Sequence, residues 1–250
     1  GTDRTIDGSQ LGLEVLVLGD LGVVDVTGQI TDDIIVDGTL SRFNLKADAT
    51  TANTDILTGS VTAFGEIRST NITGGNIGND VNFFAGQNIG RFNLTGGNIN
   101  AGAVIGTAFG DMTAVTIRTD RAGMGGDLFG SLTAVNGTIR SVSVLGSDFG
   151  DGVNPAQIRA QNIQKVKIDG DMAANSLIDA VFDLGSLLIG QDILVGATVD
   201  ADTAKTVKVG RDMLGAIALG AAVRSTSVQV DRNLGGTLDM AGNTKLTAKG

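Results

Sequence analysis

"VKVGRDMLGAIALG", residues 207–220, sets two alternating apolar positions before a glycine, a spacer, an aspartate and a second alternating run. The pattern returns as "VKIDGDMAANSLID" at 166–179, "LLIGQDILVGATVD" at 187–200 and "VQVDRNLGGTLDMA" at 228–241. The four starts lie 21, 20 and 21 residues apart. A fixed period of this size is the signature of a stacked repeat.

Alternation over such short segments specifies half-buried strands, because a helix would need a 3.6-residue period sustained for ten residues or more. Val207 and Val209 face one way and Lys208 the other; Met213, Ile217 and Leu219 continue the inward set. Three short strands with their bends use about 20 residues, so coiling them lays each strand, parallel and in register, on its counterpart one turn later. The predicted fold is all-β: a right-handed parallel β-helix, or β-solenoid, with about 21 residues per turn and roughly 11 turns. It forms a single domain over residues 1–250. A single proline agrees, since proline cannot donate to a strand ladder. The leucine-rich repeat, the main rival at this period, would show an L-x-x-L-x-L-x-x-N pattern that is missing here.

The apolar residue after the recurring Asp or Asn serves as a marker. The series is Leu21, Leu40, Ile56, Ile77, Ile99, Leu128, Phe149, Met172, Ile193, Met213 and Leu234. Its N-terminal third is less regular, and "RTDRAGMGGD" near 118–127 reads as a loop inserted into one turn. Ten of the eleven preceding residues are Asp or Asn. Each is expected to hold its corner by accepting a hydrogen bond from an N–H two residues further on, with glycine supplying positive φ. Inward residues from Val166, Ile168 and Met172 through Val228, Val230 and Leu234 are expected in buried columns. The phenylalanines, among them Phe43, Phe83, Phe84, Phe92, Phe109, Phe129, Phe149 and Phe182, are expected to fill the core.

With neither Cys nor His, the chain has no thiol chemistry, disulfides or iron–sulfur clusters. A net charge of −9 disfavours nucleic acid and anionic membranes as partners. The apolar run from Met213 to Val223 falls far short of the roughly 18 residues of a spanning helix, so membrane insertion is not expected.

Stacked Asp127, Asp148, Asp171, Asp192 and Asp212 would form a calcium ladder if cations bridged them, since Ca²⁺ favours several carboxylate oxygens. Calcium is therefore the one cofactor to weigh against none. Asn at positions 76, 98 and 233 of the same series is what hydrogen bonding alone would allow. "NTD" at 53–55 has the look of a glycosidase motif, yet its acidic and histidine companions are missing. Asp32 and Asp33, adjacent on a strand, would point to opposite faces, which is poor geometry for paired acid–base work. No catalytic residue is assigned, and the chain is expected not to be an enzyme.

The unit, apolar-x-apolar-x-Gly-Asp/Asn-apolar with Gly, Ala, Ser and Thr around it, resembles secreted bacterial parallel β-helix surface and adhesin-type repeat proteins. The resemblance runs from about Leu11 to Leu246. It implies an extracellular or cell-surface location and a non-catalytic structural or adhesive role, as a fibre or surface-layer segment. A carbohydrate-active β-helix enzyme and a phage-type fibre domain are the alternatives. Neither end shows an amphipathic helical cap, so the ends are expected to stack head to tail on further copies or on flanking domains of a longer chain.

Overall fold

A computed structural model describes residues 5–8, 11–12, 14–220, 226–241 and 244–249. Among them every named element is a β-strand, and the strands pair in parallel between successive coils. About eleven coils of about 21 residues make a β-solenoid. Each coil passes through a one-residue marker rung, a short strand and a long strand. In one middle coil, Ile77 is the rung, Asn82–Ala85 the short strand and Ile89–Thr95 the long one. Further along, short and long strands fuse into single elements, Gln157–Ile168, Leu177–Ile189 and Thr198–Val209, with a register shift after Ala160 and another after Ala180.

Register follows the apolar columns. Leu187 lies between Val166 and Val207, and Ile189 between Ile168 and Val209. The marker row runs from Ile77 through Ile99, Leu128, Phe149, Met172, Ile193 and Met213 to Leu234. These side chains are buried except Leu234, which is 36% exposed because it belongs to the final coil and nothing described stacks on it.

Before Ile77 the marker row differs from the sequence reading: it runs through Leu57, Ile30 and Leu11. Leu21 and Leu40 instead begin long strands and stack on Ile67 and Ile89, while Ile56 is the buried neighbour of the true rung. The misreading has a physical cause. The corner before a long strand is built like the marker corner, with an acidic side chain ahead of an apolar one, and Asp20 Oδ1 accepts from the Thr39 N–H at 2.7 Å.

Phe43, Phe83, Phe92 and Phe149 are fully buried. Phe83 stands edge-on to both Phe43 and Phe92, with centroids 5.4 and 5.3 Å apart. Phe109 and Phe182 turn outward instead, 78% and 49% exposed, and Phe84 and Phe129 are half-buried. Phe84, like Asn82, takes an outward position of its short strand. Phe182 occupies the register shift between Ala180 and Asp183, where an extra residue breaks the alternation.

Glycine at the corner before the marker acts by smallness. Gly210 lacks positive φ, but a Cβ there would run into the Gly190 carbonyl of the coil below. The left-handed residue sits three positions after the marker instead: Asn175 has φ 62° and Gly196 φ 85°.

Candidate functional site

From Asn76 to Asn233 the Asp/Asn series forms one side-chain ladder, and its bonds run between coils, whereas Asp20 and Thr39 lie at the other corner. Each side-chain oxygen accepts from the backbone N–H of its own counterpart in the next coil. Asn76 takes the Asn98 N–H at 2.9 Å, and Asn98 the Asp127 N–H at 3.0 Å. Asp127 takes that of Asp148 at 3.2 Å, and Asp148 that of Asp171 at 2.7 Å. Asp171 takes that of Asp192 at 2.8 Å, Asp192 that of Asp212 at 2.7 Å, and Asp212 that of Asn233 at 3.1 Å. The bond to an N–H two residues on, expected from sequence, is replaced by one spanning a whole coil. The N–H at this corner points along the stack axis, toward the side-chain oxygen one rung away.

Burial shifts two carboxylates of the column. It pushes Asp127 above its ordinary carboxylate value, opposed by the Asp148 N–H and aided by the Asp148 charge. Burial likewise raises Asp171, opposed by the Asp192 N–H and aided by the charges of Asp148 and Asp192. Arg211 lies 3.7 Å from Asp192 Oδ1 and supplies a counter-charge on one side. Among the described residues, no three or more Asp, Glu, His or Cys side chains converge in a group that could hold a metal ion. The five Asp side chains therefore lie as a line, one per rung.

Two further corners repeat the device. Asn88 Oδ1 accepts from the Asp111 N–H at 2.8 Å and Asp111 Oδ1 from the Thr138 N–H at 2.9 Å, which holds the Asp111 carboxyl below its usual range. Asp33 Oδ1 accepts from the Ser60 N–H at 2.7 Å. Asp55 of the "NTD" stretch is bonded by the side-chain amides of Asn76 and Asn100, at 3.3 and 2.8 Å. Among the described residues, Asp32 accepts from the Thr31 hydroxyl at 3.5 Å. The insertion at 119–127 is tied by Asp120 Oδ1, which accepts from the Ala122 and Met124 N–H groups.

The outward side of the long strands carries a feature that the sequence reading missed. Arg42 registers two rungs from Arg91, with Ser69 between them, and the same row continues to Lys165 and, at the last coil, Lys245. A neighbouring row runs Asn44, Asn71, Asn93, Thr116, Ser143 and then Lys167, Leu188 and Lys208. Lys46 and Arg118 flank it on the far side, and Arg68, Arg140 and Lys205 on the near side. Well over half of the chain's 18 Lys and Arg thus share one face of an acidic protein. The signal was readable as cations at outward positions, but only with the correct N-terminal register.

No family model matches the chain, and neither the curated proteins nor the solved structures searched contain a significant match.

Proposed function

We propose that this chain is a non-catalytic structural and adhesive rod of a cell surface or extracellular layer, joined end to end with further coils. The observation that carries the reading is the unbroken stack. The same apolar columns and the same corner bonds pass from coil to coil without a break between Ile77 and Leu234, so bending the rod would strain every rung at once. The last described coil supports the end-to-end part. Leu234 and Leu246 are 36% and 43% exposed there, and the strands Thr237–Met240 and Thr244–Ala248 pair on one side only. A second copy or a continuing stretch of chain laid on that edge would bury the apolar side chains and pair the strands. The extracellular setting rests on the resemblance to secreted β-helix surface proteins.

Small-angle scattering and electron microscopy of the 250-residue chain test this. Eleven rungs at about 4.8 Å give a rod on the order of 50 Å, and axial multiples of it should grow with concentration. Particles that stay dispersed as single rods at high concentration would sink the end-to-end part, and a compact, non-elongated particle the whole reading.

A further inference from the structure

The cations on the long-strand face fall into two groups. Four are paired: Arg68 with Glu66, Arg140 with Asp111, Lys167 with Asp169, and Lys208 with Asp231. The flanking Lys46, Arg118 and Lys205 and the central row are not, among the described residues. Among the described residues, Arg42, Arg91 and Lys165 form no ion pair, and all three are exposed. Asp7 and Asp25 register together in the neighbouring row, at the far end of the face. The central row from Arg42 to Lys245 spans nine rungs, roughly 43 Å at about 4.8 Å each. Unpaired, solvated cations held in a straight row on a rigid sheet make a preorganised track for negative charge.

We propose that the long-strand face binds a linear anionic polysaccharide, laid along the solenoid axis. Charge complementarity calls for a polyanion, and three observations favour a glycan over other polyanions. The central cations recur at intervals of two, three and four rungs, which suits charges spaced along an extended chain. The row beside them is an amide and hydroxyl ladder, Asn44, Asn71, Asn93, Thr116 and Ser143, a set of neutral donors and acceptors fitted to sugar hydroxyls. Aromatic platforms, on which single-stranded nucleic acid stacks, are absent from the outward rows of this face among the described residues. The overall charge of −9 does not prevent binding. The ladder carboxylates lie around the corner, and at physiological salt charges further than about 8 Å away are largely screened.

This inference deepens the adhesive half of the function proposed above, and the two can fail separately. Binding of the full chain to heparin, polygalacturonate, neutral dextran and single-stranded DNA is measured by affinity chromatography and titration. The parent is expected to bind one or both anionic glycans, to lose that binding steeply as salt rises, and to ignore dextran. The triple variant Arg42→Gln, Arg91→Gln, Lys165→Gln should lose at least tenfold in affinity with an unchanged circular dichroism spectrum. Arg159→Gln, on the short-strand face, should bind as the parent does. Equal binding by parent and triple variant, or no binding to either anionic glycan, overturns the proposal, and so does tighter binding to DNA than to both glycans. A chain that scatters as a rod yet binds no glycan refutes this inference and leaves the rod intact.

Discussion

Asp171 is the place to ask whether the corner ladder works by hydrogen bonding or by charge. Its Oδ1 accepts from the Asp192 N–H at 2.8 Å, and its own N–H is held by Asp148 Oδ1 at 2.7 Å. Replacing it with Ala removes the acceptor and leaves the Asp192 N–H, in a half-buried corner, without a partner. A hydrogen bond to a charged group contributes about 1.5–3 kcal/mol. The carboxylate is also desolvated and repelled by Asp148 and Asp192, which offsets part of that gain. Asp171→Ala is therefore expected to cost about 1–2 kcal/mol, a fall of roughly 2–8 °C in melting temperature for a chain of this size. Asp171→Asn keeps an acceptor oxygen and removes the repulsion, so it should melt within about a degree of the parent or above it. The occurrence of Asn76, Asn98 and Asn233 in the same column is the natural precedent. Thermal melts of the three proteins, with and without EDTA and Ca²⁺, decide the matter. If Asn is as damaging as Ala, and the parent loses stability in EDTA and regains it with Ca²⁺, the column works as a cation ladder and the hydrogen-bond argument fails.

Thr70 is buried between Phe43 and Phe92 in its column, and its hydroxyl has no hydrogen-bond partner among the described residues. Thr70→Val should raise stability by about 1 kcal/mol in denaturant titration, and a loss would mean that the hydroxyl is bonded. The pH dependence divides by corner. Asp127 and Asp171, raised by burial, favour the fold most below the ordinary carboxylate value, and that contribution fades as pH climbs through their raised pKa. Replacing both with Asn should therefore improve the melting temperature relative to the parent more at about pH 7 than at about pH 4. Asp48, held at about 2 by the hydroxyls and N–H groups of Thr50 and Thr51, has the opposite sign: its contribution is present above 3.8 and lost as pH falls toward 2. Asp48→Asn should accordingly flatten the acid limb of the melting curve.

The period, the all-β class and the marker row from Ile77 onward were legible in the sequence because a parallel stack forces like residues onto like positions. What was not legible came from two sources. One is mimicry: Asp20–Leu21 and Asp212–Met213 obey the same local rule at different corners, and nothing local to Leu21 says which corner it occupies. The other is distance. Whether Asp171 bonds within its own turn or across to the next depends on where the N–H of Asp192 points, and that is settled by the stack. The outward cations were visible as letters, but Arg42 and Arg91 become neighbours only once Leu40 is placed on Ile67 and Ile67 on Ile89. Phe182 escaped for a smaller reason, since one extra residue at a register shift inverts the parity of everything read through it.

The corner ladder also bears on how such a chain could change its length in the course of descent. Its bonds always link a residue to its own counterpart, never to a distinct mate, so no rung is marked as first, middle or last. Deleting residues 190–209 would join Ile189 to Gly210 and bring Asp212 to the place that Asp192 holds over Asp171. The oxygen would find the same kind of N–H waiting for it. Loss or duplication of one such stretch of DNA would then shorten or lengthen the molecule by a single rung and leave every other rung as it was. A protein built in this way is a ruler whose length can be reset by recombination alone.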